Sequence, residues 1–151
     1  MKIRHNESGF TLVELLIVVI ILGILAAVVI PQFNNAAAES KEAALSSNLA
    51  TVRQSIELYK VQHNDAYPGT TMVVQLTGGT DVAGAVGTKY GPYIRNTFPA
   101  NPINSKATVT TAAATPAAGT DVSGWFYNTV TGEFRADSPG SGPSGKVYFT
   151  L

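Results

Sequence analysis

The chain has 151 residues, 45% of them apolar, with ten basic and ten acidic side chains. That balance leaves no overall field to draw it to nucleic acid or to an acidic surface, and the length has room for one compact domain and one extra element. With no cysteine, disulfides, thiolate metal sites and a thiol nucleophile are excluded.

The apolar residues are concentrated before residue 31. From Phe10 to Ile30 the run FTLVELLIVVIILGILAAVVI is interrupted only by Thr11 and Glu14. As a helix it would extend roughly 30 Å, enough to cross a bilayer core. Lys2 and Arg4 precede it, which places that end in the cytoplasm and the bulk of the chain on the far side. Three readings fit the segment. A secretory signal, cut near Ala36-Ala37-Ala38, calls for a shorter apolar core without an acid. A plain anchor fits the length but leaves Glu14 without a purpose, since a carboxylate at mid-membrane costs about 2.5–3.5 kcal/mol. The third reading is a cut between Gly9 and Phe10. Glu14 then falls in the first turn of the new helix, where the macrodipole favours it by about 0.3–1 kcal/mol. That alone does not offset burial in lipid. The new amino terminus of a neighbouring copy supplies the missing cation, so the acid is costly in a single subunit and satisfied in a staggered polymer.

Gly9-Phe10-Thr11-Leu12-Val13-Glu14, the short basic leader and Pro31 at the end of the run resemble type IV prepilins and the pseudopilins of type II secretion. The resemblance implies cleavage after Gly9 by a prepilin peptidase, methylation of Phe10, and an assembly role for Glu14. It also implies partners: further copies, minor pilins or pseudopilins, an inner-membrane platform with its ATPase, and the lipid bilayer. No nucleic acid and no cofactor are expected.

Pro31 is predicted to kink or loosen the helix by removing a hydrogen bond and crowding the carbonyl four residues back. Beyond it, residues 32–62 lack glycine and proline. Leu45, Leu49, Val52, Ile56 and Tyr59 form one stripe, read as packing on the chain's own C-terminal domain. Arg53 with Glu57, and Glu57 with Lys60, are expected as weak pairs on the exposed face. His63 is expected to face the last helix carbonyls, and His5 falls in the leader.

The expected organisation is a leader at 1–9, a membrane and assembly helix at 10–30, an amphipathic second half at 31–62 and a loop-rich head at 63–151. The fold class is α+β, a long N-terminal helix on a small C-terminal antiparallel sheet. Met72 to Leu76 reads as a brief strand or a helical turn, and the glycine-punctuated stretch after it as a surface loop. Residues 105–120, SKATVTTAAATPAAGT, are low in complexity and read as a mobile loop. Strands are expected at 124–128 and 133–137 around a Thr131-Gly132 turn, with a third at 146–150. Trp125, Tyr127, Phe134, Val147 and Phe149 are expected to include the residues covering the helix stripe.

Tyr59-Lys60 with Asn64-Asp65-Ala66-Tyr67-Pro68, then Tyr90-Gly91-Pro92-Tyr93-Ile94 and Phe98-Pro99-Ala100-Asn101-Pro102, resemble the helix exit and sheet approach of the major pseudopilin. Many such proteins continue as Asp-Pro-Trp-Gly and use later acids to bind calcium. Here Asn101-Pro102-Ile103-Asn104 takes that place, leaving Asp121 and Asp137 as weak calcium candidates. No phosphate loop, metal spacing or nucleophile–base pair points to an enzyme. The resemblance implies a structural subunit, either of a periplasmic secretion pseudopilus or of a surface type IV pilus used for adhesion, twitching or DNA uptake. An anchored periplasmic binding or enzymatic domain is the reading from a different class.

Overall fold

The computed structural model describes residues 9–151. The expected basic leader, with Lys2, Arg4 and His5, lies outside the described residues apart from Gly9. The element order is a long helix α1 (Leu12–Gln62), a short helix α2 (Met72–Thr77), strands β1 (Val109–Ala112), β2 (Trp125–Asn128) and β3 (Phe134–Ala136), and a 3₁₀ turn at Tyr148–Thr150. The helix continues through Pro31. The described residues divide into two units, the first ending at Ala37 and the second running from Ala38 to Leu151.

In the first unit the described residues are exposed throughout, from Leu12 to Phe33 and beyond. Such an apolar surface has no internal partner to bury against. The helix is long and apolar enough to cross a membrane.

The second unit has its own core. All five stripe residues of α1 are buried, and they join Met72 and Leu76 of α2, Phe98, and Trp125, Tyr127 and Phe134 of the sheet in one cluster. Spacing by alternate steps of four and three turns these side chains to one face, and burying each stabilises the head by about 1.5–3 kcal/mol before entropy. Trp125 and Phe134 stack with ring centroids 5.2 Å apart. The indole N–H of Trp125 donates to the Pro99 carbonyl at 2.8 Å, and the Tyr127 hydroxyl donates to the Pro68 carbonyl at 2.9 Å. Burial pushes the Tyr127 phenol well above its usual range.

The architecture is the expected α+β, and its sheet is mixed rather than wholly antiparallel. Strand order is β1-β2-β3, with β1 parallel to β2 and β2 antiparallel to β3. The hairpin stands where Thr131-Gly132 places it. Asn128 N–H donates to the Glu133 carbonyl at 2.8 Å, and Gly132 supplies the left-handed turn with φ +73°. The low-complexity segment contributes β1, because Val109, Thr110 and Thr111 are β-branched and Trp125 N–H reaches the Thr108 carbonyl at 3.1 Å. The strand expected at 146–150 is instead a bridge from Ser141 to Val147 and a 3₁₀ turn. Beside β3, Arg135 donates to the Phe149 carbonyl at 3.2 Å and lies over the Phe149 ring, so side-chain contacts replace a backbone ladder. Phe149 is buried, with its ring 6.2 Å from that of Phe126, whereas Val147 is exposed.

Arg53 also departs from expectation. It turns inward, donating from Nε and Nη2 to the Phe134 carbonyl at 3.0 and 2.8 Å. Two bonds from a charged donor outweigh a solvated intrahelical pair, which contributes only about 0.2–0.5 kcal/mol. Lys60 goes to the Tyr67 hydroxyl at 3.1 Å rather than to Glu57.

Candidate functional site

The expected processing and assembly residues lie at the start of α1. Gly9, Phe10 and Thr11 are non-helical and exposed, so the Gly9–Phe10 bond precedes the helix. Thr11 closes the helix end. Its carbonyl accepts from Leu15 N–H at 3.2 Å, and its hydroxyl accepts from Glu14 N–H at 3.3 Å. Glu14 reciprocates: its Oε2 accepts from the Thr11 backbone N–H and from the Thr11 hydroxyl, both at 2.8 Å. Thr11 and Glu14 thus form a capping box, in which residues three apart satisfy each other's orphan donors. The Thr-x-x-Glu spacing was available in the sequence, which showed the acid without its local partner.

The box uses one carboxylate oxygen. Among the described residues Oε1 of Glu14 has no hydrogen-bond partner. An ionised carboxylate offers about four acceptor positions, so two remain for a donor from outside the chain.

The calcium candidates are engaged otherwise. Asp137 is buried, and its carboxylate accepts from the Ser123 N–H at 2.9 Å, the Ser123 hydroxyl at 3.0 Å, and the Thr120 N–H and hydroxyl. Burial raises its proton affinity, and the bonds from Thr120 and Ser123 outweigh that, holding the carboxyl below the usual aspartate range. Asp121 accepts from the Asn104 amide at 2.7 Å, and the Lys106 ammonium stands 3.6 Å from the same oxygen. Among the described residues no three acidic or histidine side chains converge as metal ligands. Asn101, which stands in the sequence where many major pseudopilins have an aspartate, is fully buried and donates to the Gly124 carbonyl at 2.7 Å and the Ser138 hydroxyl at 3.0 Å.

His63 meets the helix end as expected. Its Nδ1 is 2.7 Å from the Tyr59 carbonyl, which can only accept, so Nδ1 carries the hydrogen. Its Nε2 is 3.0 Å from the Thr80 hydroxyl, and the ring stacks on Tyr59 at 3.7 Å.

Residues 4–30 match the prokaryotic N-terminal methylation motif. This is a prepilin-type N-terminus. The chain is 40% identical over 67 residues to the type II secretion system core protein G of Pseudomonas aeruginosa, covering 44% of this chain and 46% of the relative. The corresponding protein of Klebsiella michiganensis is 31% identical over 72 residues, covering 48% of this chain and 50% of that one. A type IV major fimbrial protein FimA of Dichelobacter nodosus is 49% identical over 54 residues, or 36% and 34% of the two chains. The chain therefore spans half or less of the length of these relatives. No solved structure is significantly similar to it.

Proposed function

We propose that this chain is a structural filament subunit, specifically a major pseudopilin of a type II secretion system, with no catalytic step of its own. It is anchored in the bacterial inner membrane by the first part of α1, with the N-terminus cytoplasmic and the head periplasmic. A prepilin peptidase cuts after Gly9 and methylates Phe10. The platform and its ATPase then add the subunit to a periplasmic pseudopilus containing further copies and minor pseudopilins. Pro31 loosens the helix between its membrane and head portions. The reading requires no metal. Asp121 and Asp137 already spend acceptor capacity on protein donors, so calcium would have to compete with those contacts.

The observation that carries the proposal is the half-used carboxylate of Glu14 in the apolar, exposed first part of α1. Its free oxygen suits the terminal ammonium of an adjoining subunit, a charge-assisted bond made only in the assembled state. A type IV pilus subunit is the second reading, favoured by the identity to FimA. Neighbouring genes for a secretion ATPase and secretin, without a retraction ATPase, would select the pseudopilus.

The test is mass spectrometry of membrane-extracted wild type together with filament yield from Glu14→Gln. A mature N-terminus at Phe10 with one methyl group is expected, as is a variant that inserts and is cut but polymerises poorly. An intact Met1, or normal filaments from Glu14→Gln, would refute the proposal.

A further inference from the structure

The turn at residues 121–124 is rich in oxygen acceptors. Asp121 takes a left-handed conformation, φ +58°, and both its carbonyl and its carboxylate accept from the neighbouring turn at 101–106. Four oxygens are served by side chains of that turn: the Asp121 carbonyl, Asp121 Oδ1, and the carbonyls of Ser123 and Gly124. Lys106 donates from Nζ to the Asp121 carbonyl and stands 3.6 Å from Oδ1. Asn104 gives one amide hydrogen to Oδ1 at 2.7 Å and the other to the Ser123 carbonyl at 2.9 Å. Asn101 reaches the Gly124 carbonyl at 2.7 Å.

A group of carbonyls around one carboxylate is what a hard cation seeks, since calcium takes six to eight oxygens. Asp121 and the carbonyls beside it are therefore where the calcium implied by the sequence resemblance would have to sit. The residues that face them do not fit such an ion. All three are N–H donors, and neither asparagine can turn to offer its oxygen instead. Asn104 Oδ1 already accepts from the Lys106 N–H at 3.1 Å, and Asn101 Oδ1 from the Ile103 N–H at 2.9 Å. Rotating either amide would set its NH₂ against a backbone N–H. The two turns also meet backbone to backbone, because a Cβ on Gly124 would run into the Lys106 carbonyl.

We propose that the Lys106 ammonium is the built-in cation of this turn, and that with the amides of Asn104 and Asn101 it takes the place of a divalent ion, leaving the head indifferent to calcium. The inference holds whichever filament the chain builds. The Lys106 and Asp121 side chains are 40% and 48% exposed, so their pairing adds little to global stability. Its effect is local: it fills the acceptors of one loop. Because this cation belongs to the chain, the turn is set by folding alone, in chelator as in calcium.

Urea unfolding of the full chain in detergent micelles, followed by Trp125 fluorescence, tests this in EGTA and in calcium chloride at about 5 mM, above the dissociation constants of weak extracellular sites. The wild type is expected to give the same midpoint in both. Lys106→Met removes the ammonium and keeps an unbranched side chain. Amide hydrogen exchange at residues 121–124 should quicken about threefold in this variant, while the Leu45–Tyr59 segment keeps its protection. Asn104→Asp combined with Lys106→Met exchanges the donors for oxygens. That double variant should gain a midpoint that rises with calcium and falls back in EGTA. A calcium-dependent midpoint in the wild type, unaltered loop exchange in Lys106→Met, or a double variant blind to calcium would overturn the assignment.

Discussion

Replacing Asp137 by asparagine alters one atom at the best-satisfied buried acid in the head. The carboxylate serves two backbone donors, with Oδ1 facing the Thr120 N–H and Oδ2 facing the Ser123 N–H. An asparagine has one acceptor oxygen, so in either orientation its NH₂ meets a backbone N–H. The Thr120 and Ser123 hydroxyls can reorient, but a backbone N–H cannot. One buried donor is lost, at a cost of about 1–3 kcal/mol; Asp137→Ala loses both, at roughly twice that. Against a net stability of about 5–15 kcal/mol either is readily measured. Urea unfolding followed by the fluorescence of Trp125 is the natural assay. Trp125 is the single tryptophan, has a fully buried side chain and pairs directly with Ala136. Because the folded carboxyl binds its proton less readily than an unfolded aspartate, its contribution is complete above the unfolded value, about 3.9, and disappears as pH falls through the folded value. A protonated aspartic acid carries one donor and one acceptor, as asparagine does, so the difference between wild type and variant should shrink in acid. Equal midpoints at neutral pH, or a gap that ignores pH, would refute the account.

Leu49→Ala, at the centre of the stripe, is expected to cost about 2–5 kcal/mol, whereas Leu58→Ala on the exposed face should stay within about 0.5 kcal/mol. The same urea midpoints check this contrast. Gly132→Ala places a Cβ inside the Tyr67 ring at a position with φ +73°. Strain of about 1–3 kcal/mol is expected, with a further about 1–3 from displacing the ring, and thermal unfolding should shift accordingly.

The stripe from Leu45 to Tyr59 was legible because burial on one side of a helix writes its period directly into the chain. The hairpin was equally readable, since a left-handed turn restricts what can stand at Gly132. The identity of β1 was hidden: Ala, Gly and Pro around it suggest a loop, and its Val-Thr-Thr core becomes a strand only when β2 offers a parallel partner. Residues 146–150 carry the alternation of a strand, but β3 is covered by the Arg135 and Phe149 contacts instead of a ladder. The inward turn of Arg53 was hidden for a similar reason. Its orphan carbonyl acceptor, Phe134, lies 81 positions away and cannot be seen from helix spacing. At the candidate site, Glu14 announced itself as an acid among apolar residues, while the division of work between its two oxygens required coordinates.

The parallel pairing of β1 with β2 has a lasting implication for the segment that joins them. Two strands running the same way oblige the chain to travel back along the sheet, which takes about a dozen residues or more. Positions 113–124 are close to that minimum. The stretch of alanine, threonine and proline therefore has little slack: a deletion of even a few residues would pull the two strands out of register.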